Sequence, residues 1–404
     1  MKSRRIGILT PTFLPKCSGA EVFHHNLAGH LVKAGHRPVV LAPRSRIRRL
    51  HSCGWKLPYE LDAYPAQFWG FMKHHVGVAL WLNRRALSRL QQKHRFDVWH
   101  TVVLYPSGVS FADWQSRSRV PGLVRAVGDD VGGLPGNGHQ EWMKRLLHDK
   151  LPRAQSVVAL SAGMADELST LGVPRRKIRT MPNAVDCARF EGTFPGREAV
   201  RGRLGLPPDA FVFLCVARNH PQKDFPTLFR AFRSLRERMP GHEVHLAVAG
   251  RSVPSLRNEA KAAGLTDTVH FFEFGGTPCG NAAPVMPPPE LVDLYRAADA
   301  FVLSSLLEGF SSALLEAMAA SLPVVATDAP GIREVVRPDV EGMLVPCGDA
   351  VALAKAMGDI VEHPELRRRL ADAARETARR YSWPVLTEAY ARLYEELIAE
   401  RGRA

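Results

Sequence analysis

The sequence predicts an α/β protein of two domains, each a parallel sheet flanked by helices, and three observations carry that expectation. Its 404 residues exceed what one hydrophobic core usually organises. Short β-rich apolar runs alternate with helical patterns along the chain, as parallel strands with crossover helices require. The same alternation then restarts near Phe211, after a stretch without periodicity.

In the first half the strand candidates are Ile6 to Leu9, Pro38 to Leu41, Val98 to Val103, Leu123 to Val127 and Val157 to Leu160. Phe23, Leu27 and Leu31 fall at i, i+4 and i+8 between the first two, and Gly35 stops that helix. The second half offers Phe211 to Val216, His245 to Ala249, Val269 to Phe272, Ala300 to Leu303 and Pro323 to Ala326. Gly192, Pro195 and Gly196 punctuate the join between Asp186 and Arg201. A Gly- and Pro-rich loop from Gly275 to Pro289 precedes a helix near Glu290, and the pattern from Pro384 to Ile398 reads as a final helix.

Composition narrows the class. With 46% hydrophobic and 23% charged residues the chain is globular. The six cysteines (Cys17, Cys53, Cys187, Cys215, Cys279, Cys347) form no C-x-x-C pair and no zinc-ligand spacing, so they read as ordinary thiols of a reducing compartment. The apolar run at the N-terminus lasts only from Ile6 to Leu9 before Pro11 and Pro15, which is a first strand and not a signal peptide. No run approaches the roughly 18 apolar residues a bilayer span needs. The expected location is the cytoplasm, with peripheral attachment to the inner membrane face as an extension. The net charge of +14 sits wholly in the first half: residues 1–200 hold 30 Lys and Arg against 14 Asp and Glu, residues 201–404 hold 24 against 26. One domain is thereby expected to face something anionic, or to carry an Arg-rich solvated surface.

The strongest local signal for chemistry runs from Ser304 through Glu308-Gly309-Phe310 to Glu316. It follows a strand, passes a Gly-containing turn and opens a helix near Ser312, whose free N–H groups suit a diphosphate. Arg218 and Lys223 lie five residues apart at the exit of another strand; a planar fork and a point charge together also suit a diphosphate. Ser18, Gly19 and Glu21 join the first strand to the first helix, and a glycine there lets a phosphate approach the backbone. This is neither a G-x-G-x-x-G fingerprint nor a P-loop.

Taken together, these segments resemble the retaining glycosyltransferases of the GT-B fold, family 4 type (group 1). The resemblance also rests on Met181 to Asp186, Ala247 to Gly250, Leu294 to Asp299, Pro323 to Asp328 and Gly331 to Glu334. It implies two Rossmann-like domains facing each other across a deep cleft: an acceptor domain over residues 1–190 and a donor domain over 191–383, with a helix at about 384–404 packing back on the first. It implies that Arg218 and Lys223 hold the donor diphosphate, that Glu316 accepts the ribose hydroxyls, and that Glu308 lies beside the donor sugar with the backbone of Gly309 and Phe310. Ser18, Gly19 and Ser312 would complete the phosphate site, and the backbone near Phe274 and Gly275 would meet the base. No cofactor and no metal are expected; the nucleotide sugar is a substrate.

The sequence departs from that family in three places. Ser18 stands before Gly19 where the family often has two glycines. Val127-Gly128-Asp129-Asp130 stands where many members carry a histidine, so Asp129 or Asp130 is the acceptor-side candidate, the other reading being a turn or helix-start aspartate. Ser321 replaces a common glycine. The expected function is transfer of a hexose-type sugar from a nucleotide-diphosphate donor to a glycan, lipid-linked or small-molecule acceptor, in polysaccharide or glycolipid assembly. The alternative is a catalytically silent nucleotide-sugar-binding or scaffold protein of the same fold. The stretch from Trp55 to Arg95 mixes aromatics with Arg and Lys; residues 44–95 either meet an anionic membrane surface or a lipid-linked or acidic acceptor, or pack their aromatics in the core and leave their charges solvated. No nucleic-acid reading motif is present.

Overall fold

A computed structural model describes residues 2–15, 19–65, 67–128, 141–192, 194–274 and 285–402. The chain folds as two compact units: Met1–Asn183 with Trp383–Ala404, and Ala184–Gly276 with Val285–Ser382. Each is built on one parallel sheet.

The first unit contains β1 (Arg5–Leu9), β2 (Arg37–Pro43), β3 (Glu60–Tyr64), β4 (Val98–Val102), β5 (Gly122–Arg125), β6 (Ser156–Ala159) and β7 (Ile178–Thr180), ordered β3-β2-β1-β4-β5-β6-β7. The second contains β8 (Phe211–Val216), β9 (Val244–Gly250), β10 (Val269–Glu273), β11 (Ala300–Leu303), β12 (Val324–Thr327) and β13 (Gly342–Val345), ordered β10-β9-β8-β11-β12-β13. Central strands such as β8 and β11 are covered on both faces and read as continuous apolar runs. Three strands escape the sequence reading: β3, β7 and β13. All three lie at sheet edges, where a strand needs no continuous apolar run, and β3 (ELDAY) and β7 (IRT) are accordingly half polar. Three expected strands end early: Val103 turns to φ 69°, β5 stops at Arg125 and β6 stops at Ala159.

In both units strand order reverses beside the first strand, between β1 and β4 and between β8 and β11. In open parallel sheets the crevice at the carboxyl ends of such a strand pair is where ligands bind. The exit of β4 is strained as well as central. A β-branched residue at positive φ is a rare outlier, and Val103 is held there by its N–H donating to Arg125 O at 2.9 Å and by Gly108 N–H donating to its carbonyl at 3.0 Å.

The last helix, Trp383–Gly402, completes the first unit. It buries Trp383, Tyr390, Tyr394 and Leu397 and packs on the helix Gly19–Lys33. Beneath it lies a polar cluster. The Arg125 guanidinium, 1% exposed, donates to Tyr390 Oη at 2.9 Å and Asn183 Oδ1 at 2.7 Å and lies 3.7 Å over the Phe23 ring. His100 Nδ1 meets Tyr394 Oη at 2.7 Å, and His24 makes no well-formed hydrogen bond with either ring nitrogen. Burial first, then the Arg125 charge, hold both imidazoles well below the usual histidine range.

These two histidines stay neutral in the native chain and protonate once unfolded, so the stability they permit is whole above pH ~6.5 and falls as pH drops through that value. His24→Leu should flatten the fall in melting temperature between pH ~7 and ~5.5. An unchanged pH profile would show that His24 does not contribute to it.

Candidate functional site

The reversal point of the second unit gathers the charged residues that the sequence singles out. Two of the segments leave the carboxyl ends of β8 and β11, neighbours in the sheet, so the fold itself brings residues 218–224 to residues 304–316.

After β8 the chain makes a tight turn with local causes. Pro221 starts a single 3₁₀ turn, Pro221–Lys223, and His220 in extended conformation caps it by accepting from Gln222 N–H at 3.4 Å. Asp224 follows at φ 47°, a left-handed conformation that Asp tolerates better than most residues. It then caps the helix Phe225–Arg238, its carboxylate accepting from Thr227 N–H at 3.3 Å. Lys223 is thus fixed between two caps. Its ammonium donates to Glu308 Oε1 at 2.5 Å, with side-chain exposures of 16% and 8%. Arg218 stands two residues beyond β8, half-buried.

The β11 exit holds the partner groups. Ser304 Oγ donates to the carbonyls of Lys223 (2.7 Å) and Asp224 (3.1 Å), and Leu306 N–H donates to Gln222 O at 2.8 Å. Ser305 Oγ donates to Glu308 Oε1 at 2.7 Å, while its carbonyl accepts from the Thr327 hydroxyl. One serine therefore fastens the lysine turn and the next fastens the glutamate. Phe310 is buried against the Tyr381 ring, 5.7 Å between centroids. Ser311 caps the helix Ser312–Ala319 by accepting from Leu314 N–H at 3.3 Å. One turn in, Glu316 accepts from Tyr295 Oη at 2.8 Å. Burial pushes the Glu316 carboxyl up to about 7, and the Tyr295 bond opposes that only partly.

Two glycines set the spacing. A Cβ on Gly250, at φ 143°, would lie 2.1 Å from Ala217 O, against the segment leading to Arg218. A Cβ on Gly331 would lie 2.3 Å from Glu308 O and 2.8 Å from Gly309 O. Only glycine permits those approaches. Phe274 follows β10 and donates its N–H to Gly250 O at 3.2 Å, on the same side of the sheet.

Other expected residues lie elsewhere. Gly19 opens the exposed start of the helix Gly19–Lys33 in the first unit. Ser18, Asp129, Asp130 and Gly275 lie outside the described residues. Cys53, Cys187, Cys215 and Cys347 are free thiols, and burial pushes Cys215, inside β8, up to about 12, which leaves it inert as a nucleophile. Among the described residues no three His, Cys, Asp or Glu side chains come together as a metal site.

Comparison with known proteins fits this geometry. Residues 196–377 match the family described as glycosyl transferases group 1, and residues 17–189 match glycosyltransferase family 4. The chain belongs to the group 1 glycosyltransferases. A D-inositol 3-phosphate glycosyltransferase of Saccharomonospora viridis is 36% identical over 229 residues, covering 56% of this chain and 52% of that protein. One from Kineococcus radiotolerans is 33% identical, covering 62% and 60%. The chain thus spans roughly half to three fifths of the length of these curated relatives. Among solved structures, a glycosyltransferase from Rickettsia africae superposes with a TM-score of 0.78 at 18% identity, covering 98% of this chain and 99% of that one. Anabaena HepE in complex with UDP and glucose gives 0.74 at 19%, covering 97% and 100%. Those likenesses show the GT-B fold, two Rossmann-like domains.

Within this member of the family, sequence reasoning assigned no role to Tyr295, Ser304, Ser305, Thr327, Gly250 or Gly331. Except for Ser305, which reaches Glu308 three residues on, each acts through a contact between segments distant in sequence, and such contacts leave no spacing to read. The glycine pair gives a direct test. Gly331→Ala should cost about 1–3 kcal/mol by overpacking, read as a lower melting temperature. Gly202→Ala, in the exposed helix Arg197–Leu204 where an added Cβ meets nothing within 4 Å, should cost nothing. Equal melting temperatures for the two variants would contradict the close approach at Glu308.

Proposed function

We propose that this chain is a retaining, metal-independent glycosyltransferase that moves a hexose-type sugar from a nucleotide-diphosphate donor to a glycan, lipid-linked or small-molecule acceptor. The observation that carries the reading is the Lys223–Glu308 ion pair at the β8–β11 reversal point, with Arg218 and Glu316 on the same two connections. HepE, solved with UDP and glucose, supports a nucleotide sugar as the donor.

The chemistry follows from charge. Departure of a nucleoside diphosphate leaves negative charge on a phosphate oxygen and positive charge on the sugar ring, so fixed cations at the leaving group lower the barrier. Lys223 and Arg218 supply them. The incoming diphosphate draws the Lys223 ammonium from Glu308, which frees that carboxylate beside the sugar. Glu316 accepts the ribose hydroxyls, and the amide groups at the start of Ser312–Ala319 add partial positive charge. A diphosphate is a good leaving group, so no protein acid is needed. The departing oxygen takes the acceptor proton on the face it leaves, and the anomeric configuration is retained.

A panel of nucleotide sugars with a chelator present should contain at least one that raises the melting temperature, because a ligand of the native form alone stabilises it. With that donor, Lys223→Ala or Arg218→Ala should lower kcat/KM by on the order of 10²–10³, and Glu308→Ala should abolish transfer. Donor affinity should weaken as pH falls below about 7, where Glu316 takes up a proton. Turnover that survives these substitutions would overturn the assigned roles. Donor binding without transfer or hydrolysis in the native chain would favour a silent binding protein.

A further inference from the structure

The aromatic and basic stretch of the first unit plays no part in the proposed chemistry, and the structure divides it cleanly. Trp55, Tyr59, Tyr64 and Trp69 are buried and belong to the core. Phe71, Val78 and Trp81 are instead 48%, 56% and 45% exposed, all within one short segment.

Phe71 stands in a turn, closed by the non-helical His75, just before the helix that carries Val78 and Trp81. The Phe71 carbonyl accepts from His75 N–H at 2.7 Å, the His75 carbonyl accepts from Ala79 N–H at 2.9 Å, and the helix Val76–His94 follows. Along that helix Val78, Trp81, Arg85 and Arg89 recur at steps of three and four and are all exposed, a single stripe about 16 Å long at 1.5 Å per residue. The opposite stripe (Ala79, Leu80, Asn83, Ala86, Leu87, Leu90) is buried. The exposed stripe is therefore apolar at its N-terminal end and cationic beyond it. The Arg85 guanidinium lies 4.0 Å over the Trp81 ring, so its charge stands at the rim of the apolar end. Exposed Lys73 precedes the stripe. The pairing of Pro43 with Tyr64 brings the exposed Arg44, which follows β2, to the same end of the sheet.

The charge pattern selects the partner. Between Asp62 and Asp97 the sequence has six Lys and Arg and no Asp or Glu, so nothing in the segment repels an anionic surface. An aliphatic Val78 one turn from Trp81 on the same helix face suits hydrocarbon; stacking on bases would not use it. We infer that Phe71, Val78 and Trp81 insert at the interface of a membrane leaflet rich in anionic lipid, while Lys73, Arg85 and Arg89 pair with its headgroups. Trp side chains favour that depth, and each nearby cation strengthens attachment.

The test is flotation of the full chain with vesicles of phosphatidylcholine, alone or with about 30% phosphatidylglycerol. The protein should float only with the anionic vesicles, and should release as salt rises from about 0.1 M to about 0.5 M. Phe71→Ser with Trp81→Ser, and separately Arg85→Glu with Arg89→Glu, should each cut bound protein at least about tenfold at an unchanged melting temperature. Absence of flotation at low salt overturns the inference, as does flotation that survives both pairs of substitutions. Retention on single-stranded nucleic acid without vesicle binding would also overturn it, and would assign the patch to that polymer instead.

Discussion

The ion pair between Lys223 and Glu308 is the contact on which the second unit's candidate site depends. Both groups are largely withdrawn from water, and removing one member of a buried pair strands the other at a cost of about 3–5 kcal/mol. The fold limits that cost to one place. Ser304 holds the backbone of the lysine turn, Ser305 holds the glutamate carboxylate, and both serines leave the same strand, so the two charges are held opposite each other from one strand exit. In the function proposed above, a diphosphate entering there would exchange one anionic partner of Lys223 for another. On that proposal the pair is a placeholder that keeps the cation oriented before its ligand arrives, which would lower the reorganisation needed when charge develops on the leaving group.

Around that pair the two sheets show the same logic twice. In each unit the strand order reverses beside the first strand, and in each the connection leaving one of the two central strands is locally distorted: Asp224 at φ 47° after β8, Val103 at φ 69° after β4. Backbone strain of this kind persists only where surrounding contacts over-determine it. At β4 those contacts are the β5 backbone and Gly108; at β8 they are two caps and the Ser304 hydroxyl. The final helix adds a third element to the first unit through Tyr390 and Tyr394, whose hydroxyls meet Arg125 and His100.

Much of this was legible in the sequence, and for identifiable reasons. Buried central strands announce themselves as continuous apolar runs, so β8 and β11 were placed residue for residue. The charged residues could be named because Arg218, Lys223 and Glu308 follow strand exits and Glu316 lies in the helix that the second exit opens, where a Gly-containing turn or a proline marks the change of structure. The edge strands β3 and β7 were missed because half or more of each is polar, whereas the edge strand β10 was read. The supporting residues stayed hidden for a different reason: Tyr295 reaches Glu316 across 21 positions, and Gly331 reaches Glu308 across 23. A hydroxyl or a missing Cβ that works at such range has no local signature. The aromatic stretch was legible only as a mixture, and the fold sorted it into Tyr64 and Trp69 in the core and Phe71 and Trp81 in solvent.

The placeholder role of Glu308 is most directly tested by titrating a nucleoside diphosphate into the native chain and into Glu308→Gln by calorimetry. Loss of the competing carboxylate should leave Lys223 free and tighten binding, even though the sugar-side carboxylate is gone. Equal or weaker binding by Glu308→Gln would contradict the claim that the diphosphate displaces Glu308 from Lys223.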